Sequence, residues 1–157
     1  MFKLQKLSIA AAAILALTGA IHCAAQQEIK GLWRAASNTA SSITGDIQFS
    51  DSKLTINFNS FPIALAHALK PEEVSAVFDE DVNTAGSGTL YRLNVPPALK
   101  LLHRNTLCGT EETRWMATYV SGRTLQAAFF SGEEVPVFTF DAISNSSNLC
   151  GTYTYVR

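Results

Sequence analysis

The sequence predicts an all-β fold: a small antiparallel β-barrel or sandwich with one short helix and one disulfide. Three observations predict it. From Gly31 onward, short runs of β-branched and aromatic residues alternate with turn residues, helical spacing occurs clearly once, and two cysteines follow residue 25. Short strands joined by turns are typical of antiparallel barrels and sandwiches.

The first 25 residues have the layout of a signal peptide. Lys3 and Lys6 precede an uncharged run over residues 7–21, and Cys23-Ala24-Ala25 supplies small residues for cleavage. The run is shorter than the roughly 20 apolar residues that cross a bilayer as a helix. We therefore expect a signal peptide over 1–25 and a single β-rich domain over 26–157, with an uncleaved anchor as the alternative.

Cys23 raises a second possibility, because a bacterial lipoprotein signal also ends in a cysteine that becomes lipidated. That signal has a small residue just before the cysteine and usually a leucine three before it, whereas His22 and Ala20 stand here. Ordinary cleavage near Ala25 is favoured. It would change the formal charge from −1 to −3, and a mildly acidic chain without a basic run disfavours a nucleic-acid partner.

Two hairpins are predicted from alternation. Ile43, Ile47 and Phe49 alternate with polar residues, as do Leu54, Ile56 and Phe58, with Ser50-Asp51-Ser52 as the turn between two strands that each bury one face. The second hairpin pairs 113–120 with 123–130 through Gly122. A turn at 131–134 leads into a strand over 135–140, where Pro136 indicates an edge strand or a strand start, and 152–156 forms the terminal strand.

One helix is predicted over residues 70–78. Pro71 and the acids Glu72 and Glu73 suit a first helical turn, and Val74, Val77 and Phe78 have helical spacing. The preceding segment, 62–69, is compatible with a strand or a helix.

Cys108 and Cys150 are the only cysteines after the signal peptide, and an even count in an exported protein predicts a bridge. Two free buried thiols are the alternative. Each cysteine precedes a predicted strand, so the bridge should tie the start of the terminal strand to the start of the Trp115 strand.

Three resemblances to known families are carried by short motifs. Gly31-Leu32-Trp33 resembles the opening signature of the lipocalin superfamily, which implies a small barrel. The paired Leu-Cys-Gly-Thr segments at 107–110 and 149–152, with Gly-Thr-Leu-Tyr-Arg at 88–92, look like a group of small exported bacterial proteins without an assigned activity. Residues 87–91 resemble the Ser-Gly-x-x-Tyr motif of the periplasmic and membrane-bound inhibitors of C-type lysozyme.

The lysozyme-inhibitor resemblance implies a binding loop. Ser87 would address the catalytic carboxylates of the enzyme, while Gly88 and Tyr91 would shape the loop. The second motif of that family, a Tyr followed by Thr-Lys-Gly, does not occur in this sequence. An ordinary turn entering a strand over 90–95 is the competing interpretation.

The sequence predicts no catalytic, metal or cofactor site. A Gly-x-Ser-x-Gly elbow is absent, and His67 and His103 are the only histidines after residue 25. Asp79, Asp81 and Asn83 match the first ligand positions of an EF-hand loop, but Thr84 and Leu90 stand where glycine and glutamate are required. A solvated acidic loop is the better interpretation.

Three functions follow as hypotheses. The first is an exported, non-enzymatic binding protein, periplasmic or secreted, whose sharpest version is a lysozyme inhibitor. The second is a lipocalin-like carrier of a small apolar ligand, with Trp33 and Trp115 among the lining residues. The third is a hydrolase that uses His67 or His103. The partner is expected to be a protein or a small apolar ligand, and the sequence leaves the oligomeric state open.

Overall fold

The computed structural model describes residues 29–86 and 88–157, which form nine strands and three short helices. The strands are β1 Gly31–Ala35, β2 Ile47–Phe49, β3 Lys53–Ile56, β4 Asn59–Pro62, β5 Ala64–Leu69, β6 Gly88–Val95, β7 Thr113–Ser121, β8 Thr124–Ser131 and β9 Leu149–Val156. The helices are α1 Asn38–Ile43, α2 Pro71–Phe78 and α3 Phe140–Ser144. The signal-peptide prediction over 1–25 lies outside the described residues, and so does Cys23.

The nine strands form one antiparallel sheet in the order β4-β3-β2-β1-β9-β8-β7-β6-β5, which curls into a nearly closed barrel. The two outermost strands of this order are consecutive in the chain. β4 pairs with β3, and after the single residue Ile63 the chain continues as β5 and pairs with β6. One long run of extended chain therefore joins the two edges of the sheet, and the prediction of an all-β barrel is confirmed.

The barrel interior is filled with large apolar side chains from every part of the sheet. The alternation predicted for β2 is observed, because Ile47 and Phe49 are buried and Gln48 between them is exposed. Trp33 is the largest of the fully buried side chains. The main interior residues are Trp33, Ile47, Phe49, Leu54, Ile56, Tyr91, Leu93, Met116, Leu125, Phe129, Tyr153 and Tyr155.

A second core lies on the outer face of β5 to β8. Helix α2 covers this face with Val74, Val77 and Phe78, and Phe138 packs against Phe130 with ring centroids 5.8 Å apart. Trp115 also belongs to this outer cluster. β7 therefore buries both of its faces, which explains why its burial is nearly continuous.

The predicted helix over 70–78 is confirmed as α2. Pro71 stands in its first turn, and the Lys70 N–H donates to the Glu73 carboxylate over 2.8 Å. The two other helices were not predicted. Each begins at a hydroxyl that accepts a backbone N–H of the first turn, Ser37 for α1 and Thr139 for α3.

Two predicted strand boundaries are wrong. Ile43 ends α1 instead of beginning a strand, because the Ser37 cap starts a helix and Gly45, with a φ of 62°, turns the chain before β2. Residues 135–140 do not form an edge strand. Pro136 offers no N–H to a ladder, and Phe138 is buried in the outer core, so the segment packs on the sheet face rather than at its edge.

The Cys108–Cys150 disulfide is confirmed, with the two Cα atoms 4.9 Å apart. Cys150 is the second residue of β9, and Cys108 lies in the connection that leads to β7. These two strands flank β8, so the bridge links the chain segments on either side of β8 at one end of the barrel. Among the described residues, the structure contains no helix with the length and apolarity needed to cross a membrane.

Two tyrosines on β9 are both buried in the barrel interior but differ in hydrogen bonding. The Tyr155 hydroxyl shares a hydrogen bond with Thr44 Oγ1 over 2.8 Å. The Tyr153 hydroxyl has no partner among the described residues, although its ring packs edge-on against Phe129. Burial raises the pKa of Tyr153 to about 12 and raises the pKa of Tyr155 as well.

We expect Tyr153→Phe and Tyr155→Phe to change stability in opposite directions. Removing the unpartnered hydroxyl of Tyr153 should raise the free energy of unfolding by about 1 kcal/mol, since a buried polar group without a bond is costly. Removing the Tyr155 hydroxyl should lower it by about 1 kcal/mol, because Thr44 loses a buried partner. Chemical denaturation of the two variants at pH 7 measures both changes. Equal destabilisation by the two would contradict this assignment.

The raised pKa of Tyr153 also predicts alkaline instability. An exposed tyrosine in the unfolded chain loses its proton near pH 10, whereas folded Tyr153 keeps it to about pH 12. The free energy of unfolding is therefore unaffected by this tyrosine's ionisation well below pH 10, and it falls as the pH rises from 10 to 12. Denaturation at pH 9 and pH 11.5 measures how far the free energy of unfolding falls between the two. The fall should be smaller in Tyr153→Phe than in the parent, by at most about 1.4 kcal/mol per pH unit. The same fall in parent and variant would refute the prediction.

Candidate functional site

A surface groove of about 400 Å³ crosses the outer face of β1, β2 and β3. Its floor is a row of outward side chains that face one another across the sheet: Leu32 opposite Gln48, and Gln48 opposite Thr55. Outward positions of a solvated sheet are normally polar. Leu32 is an exception, because this large aliphatic side chain at one end of the row is 53% exposed.

The β3–β4 turn forms one wall of the groove. Ile56 pairs directly with Asn59, so only Asn57 and Phe58 make the turn, and both have positive φ values, 47° and 66°. Hairpin turns of this kind favour Asn followed by Gly, because glycine has no Cβ to clash. Here Phe58 occupies the glycine position, and its side chain is 99% exposed.

The opposite wall comes from the long connection between β6 and β7. Leu102 lines the groove and packs over Gly45, where a Cβ would stand 2.9 Å from Leu102 Cδ1. Asn105 fastens this connection to α1 by donating from Nδ2 to the Ser42 carbonyl over 3.1 Å. His103, next to Leu102, has a φ of 53°.

Backbone strain is concentrated in these two walls. Five residues other than glycine have positive φ in the described part of the chain, and four of them are Asn57, Phe58, His103 and Arg104. The left-handed conformation costs most residues with a side chain about 1–2 kcal/mol, and asparagine less. Strain of this kind persists where the surrounding structure enforces it and is common at binding sites. The groove therefore combines strain with exposed apolar side chains.

The groove has the chemistry of a binding surface. Asp46 is the one ionisable residue among the groove residues that the structure describes, and its Oδ1 already accepts the Ala35 N–H over 2.9 Å. Leu32, Phe58 and Leu102 offer apolar contacts, and Gln48, Thr55 and Asn57 offer hydrogen bonds. Such a lining can bind and orient a partner, and it supplies no nucleophile with an adjacent base.

The role of Phe58 was not predicted from sequence. The alternation of Leu54, Ile56 and Phe58 predicts that all three share the buried face of one strand. The first two are buried, but β3 ends at Ile56 and Phe58 projects into solvent from the turn. The signal that could have shown this is the polar context Asn57-Phe58-Asn59-Ser60, which is typical of a turn.

The described residues of the lysozyme-inhibitor motif belong to β6, whose first residue, Gly88, lies at the opposite end of the barrel from the β3–β4 turn. Ser87 is outside the described residues. Gly88 begins β6, where an added Cβ would stand 2.6 Å from the Thr118 carbonyl oxygen, and Tyr91 points into the barrel interior with a pKa raised mainly by burial. Gly88 and Tyr91 thus fix the course of the strand that follows Ser87, and a contact role for Ser87 stays a prediction.

The two histidines lie in different parts of the fold, His67 on β5 and His103 in the connection between β6 and β7. His67 is an exposed residue of β5 whose ring lies edge-on to Phe138, with centroids 6.3 Å apart. His103 is exposed in the β6–β7 connection. Neither forms a hydrogen bond or an ion pair with a described side chain, so the arrangement that the hydrolase hypothesis requires is not observed there. Among these residues, no group of three or more metal-ligating side chains comes together.

A network of charged side chains holds the turn after β8 onto the sheet. Arg92 lies 4.7 Å over the Trp115 ring and contacts Glu133, and Arg114 forms ion pairs with Glu112 and, over 2.7 Å, with Glu133. The acids of this cluster are thus matched by arginines. We interpret the network as a structural clamp on the 131–134 turn.

The chain matches no protein-family model, no curated protein sequence and no solved structure. The resemblances described above therefore stay predictions.

Proposed function

We propose that this chain is an exported, non-enzymatic binding protein and that the groove between Phe58 and Leu102 is where a protein partner docks. One observation carries the proposal: Phe58 is a nearly fully exposed aromatic side chain on a strained turn. Exposing an aromatic ring and straining the backbone both reduce stability, and glycine at this position would avoid both costs. A binding contact made by the Phe58 ring would explain why the protein has both the exposed aromatic side chain and the strained turn.

The open shape and mixed lining of the groove favour a protein over a small ligand. Sites for small molecules are concave and enclose most of the ligand surface. Protein interfaces instead combine aromatic and aliphatic anchors with nearby hydrogen-bonding groups and a polar rim. Phe58 would insert into an apolar pocket of the partner, while Leu32 and Leu102 receive an apolar side chain in return.

The carrier hypothesis has less support. An interior ligand needs an open cavity, and the inward positions are filled by packed side chains such as Trp33, Phe49 and Phe129, each at most 2% exposed. Trp33 fills the interior, and Trp115 belongs to the outer core instead.

A periplasmic or secreted location is part of the same proposal. The signal-peptide layout of residues 1–25 and the Cys108–Cys150 disulfide both support it, since structural disulfides persist in oxidising compartments.

The test compares Phe58→Gly with Asn57→Gly. Phe58→Gly should raise the free energy of unfolding by about 1 kcal/mol, because it relieves a left-handed phenylalanine. It should also remove binding. Tagged parent and variants are used to recover partners from the exported fraction of the expressing cells, and recovery with Phe58→Gly should fall at least tenfold.

Asn57→Gly is the matched control, because it changes the same turn and keeps the aromatic ring. Asparagine tolerates the left-handed region, so this variant should change stability by only a few tenths of a kcal/mol and should recover the same partners. If Phe58→Gly recovers them as well as the parent does, the groove is not the docking site. Recovery of no specific partner by the parent would also count against the proposal.

Lysozyme inhibition is the sharpest version of the binding function, and it would use the opposite end of the barrel. If it is correct, the parent inhibits a C-type lysozyme, Ser87→Ala loses the inhibition, and Phe58→Gly keeps it. A turbidity assay with a panel of lysozymes measures all three. Unimpaired lysozyme activity at a large excess of the parent would exclude this version and leave the groove proposal in place.

A further inference from the structure

The outer side of β5 is a free strand edge. β3 begins at Lys53, opposite Pro62, and the last backbone bond across this seam runs from the Ile63 N–H to the Ser52 carbonyl over 2.9 Å. Beyond Ile63, β5 pairs with β6 on one side, and on its other side no described strand is paired with it. Its N–H and C=O groups on that side are therefore open to a further strand.

This edge lacks two of the features that protect edge strands from pairing, a charged side chain and a proline. Natural edge strands carry charged side chains, usually lysine, or a proline. β5 reads Ala-Leu-Ala-His-Ala-Leu, with no fixed charge and no proline, and its first five residues are exposed. A bulge at Ala66 is the one feature of β5 that natural edge strands use against pairing, and the strand keeps a regular register with β6 on both sides of it.

An apolar surface borders the edge on the outer face of the barrel. Val135, Val137 and Phe140 are 51%, 64% and 74% exposed, three large apolar side chains within six residues. The intervening Phe138 packs against the His67 ring of β5, so this segment adjoins the edge. We name the edge and these three residues together the β5 face.

We infer that the β5 face binds a second copy of this chain, with the two β5 strands antiparallel across a two-fold axis. The charge pattern selects this occupant. A two-fold interface places the same patch on both sides, so a fixed charge within it would be repelled by the same charge on the other copy. The β5 face has no fixed charge, although the chain as a whole is net negative.

The size of the face sets the expected strength of the dimer. A six-residue strand is about 20 Å long, and with the flanking apolar side chains it suits an interface near the lower limit for specific complexes, about 1,200 Å² in total. Interfaces of this size are often weak. We therefore expect a dimer whose population rises over micromolar protein concentrations.

Sedimentation equilibrium of the purified exported chain from about 1 to 300 μM tests the inference. The parent should approach twice its monomer mass at the upper end, and Ala66→Lys should stay monomeric, because a lysine of each copy would meet the other across the axis. Ser147→Lys, at an exposed position away from β5, adds the same charge and should dimerise like the parent. A monomeric parent at 300 μM, or an unchanged dimer in Ala66→Lys, would overturn the inference.

Two further variants keep the result interpretable. Val137→Glu places a charge on the apolar segment without touching β5, so it should also give a monomer, and it serves if Ala66→Lys does not fold. Phe58→Gly should leave the dimer intact, because the groove is a separate surface. A dimer that is lost in Phe58→Gly and kept in Val137→Glu would assign the contact to the groove and overturn the β5 face.

Discussion

Replacing Cys150 with serine should lower the free energy of unfolding by about 4 kcal/mol, from a typical total of about 5–15 kcal/mol for a domain of this kind. The bridge joins residues 42 apart in sequence, and it restricts the unfolded chain over that whole loop. In the folded protein it also ties the start of β9 to the connection that precedes β7. Denaturant unfolding of parent and variant measures the change.

The matched controls are Cys108→Ser and the double variant. Because one covalent bond is lost in all three proteins, their stabilities should be nearly equal, whereas two independent contributions would add. A Cys150→Ser protein that is exported and melts like the parent would contradict the prediction. The connection held by Cys108 also carries Leu102, so loss of the bridge should loosen one wall of the groove as well as the barrel.

Sequence patterns predicted those parts of the fold in which local and long-range physics agree. The hairpin of β7 and β8 consists of two largely apolar runs joined by a turn at Gly122, so composition and the turn residue together place it. Helix α2 carries proline, acids and apolar spacing in agreement with one another. The disulfide followed from cysteine count and export, without reference to geometry.

The wrong predictions occur where a tertiary contact overrides the local pattern. Residues 135–140 have the β-branched and aromatic composition of a strand, but Phe138 is buried in the outer core, which holds the segment against the face of the sheet. Sequence periodicity cannot reveal this, because it does not show that β7 buries both faces and needs a cover. Helices α1 and α3 are too short to show a helical repeat of apolar residues, and only the capping residues Ser37 and Thr139 indicate where they begin.

At the candidate site, local sequence rules disagree with the structure. Alternation predicts a buried Phe58, and turn chemistry predicts glycine at the position it occupies, so the residue violates both patterns. Disagreement between levels of sequence reasoning is expected at functional sites. The two exposed apolar surfaces, the groove and the β5 face, could not be predicted. Each lies beside the end of a strand, and sequence patterns do not show which strand ends are neighbours in the folded sheet.

Replacing Trp33 with alanine should have an effect as large as loss of the disulfide, a decrease of about 3–5 kcal/mol in the free energy of unfolding. Trp33 is completely buried in the barrel interior, and its Nε1–H donates to the Ile29 carbonyl over 2.7 Å. The Arg157 guanidinium lies 4.4 Å from the ring centroid, so the indole also joins the last residue of the chain to β1. Alanine would leave a cavity at the point where β1 and Arg157 pack together.

Trp33→Phe separates the two contributions of the indole. Phenylalanine keeps most of the apolar volume and loses the N–H, so its cost should be that of an unpaired buried carbonyl at Ile29, about 1–3 kcal/mol. Urea denaturation should therefore rank the proteins as parent, Trp33→Phe and Trp33→Ala in decreasing stability. If Trp33→Ala lies within 1 kcal/mol of the parent, the interior can collapse around the missing ring, and the barrel core is less closely packed than the complete burial of Trp33 indicates.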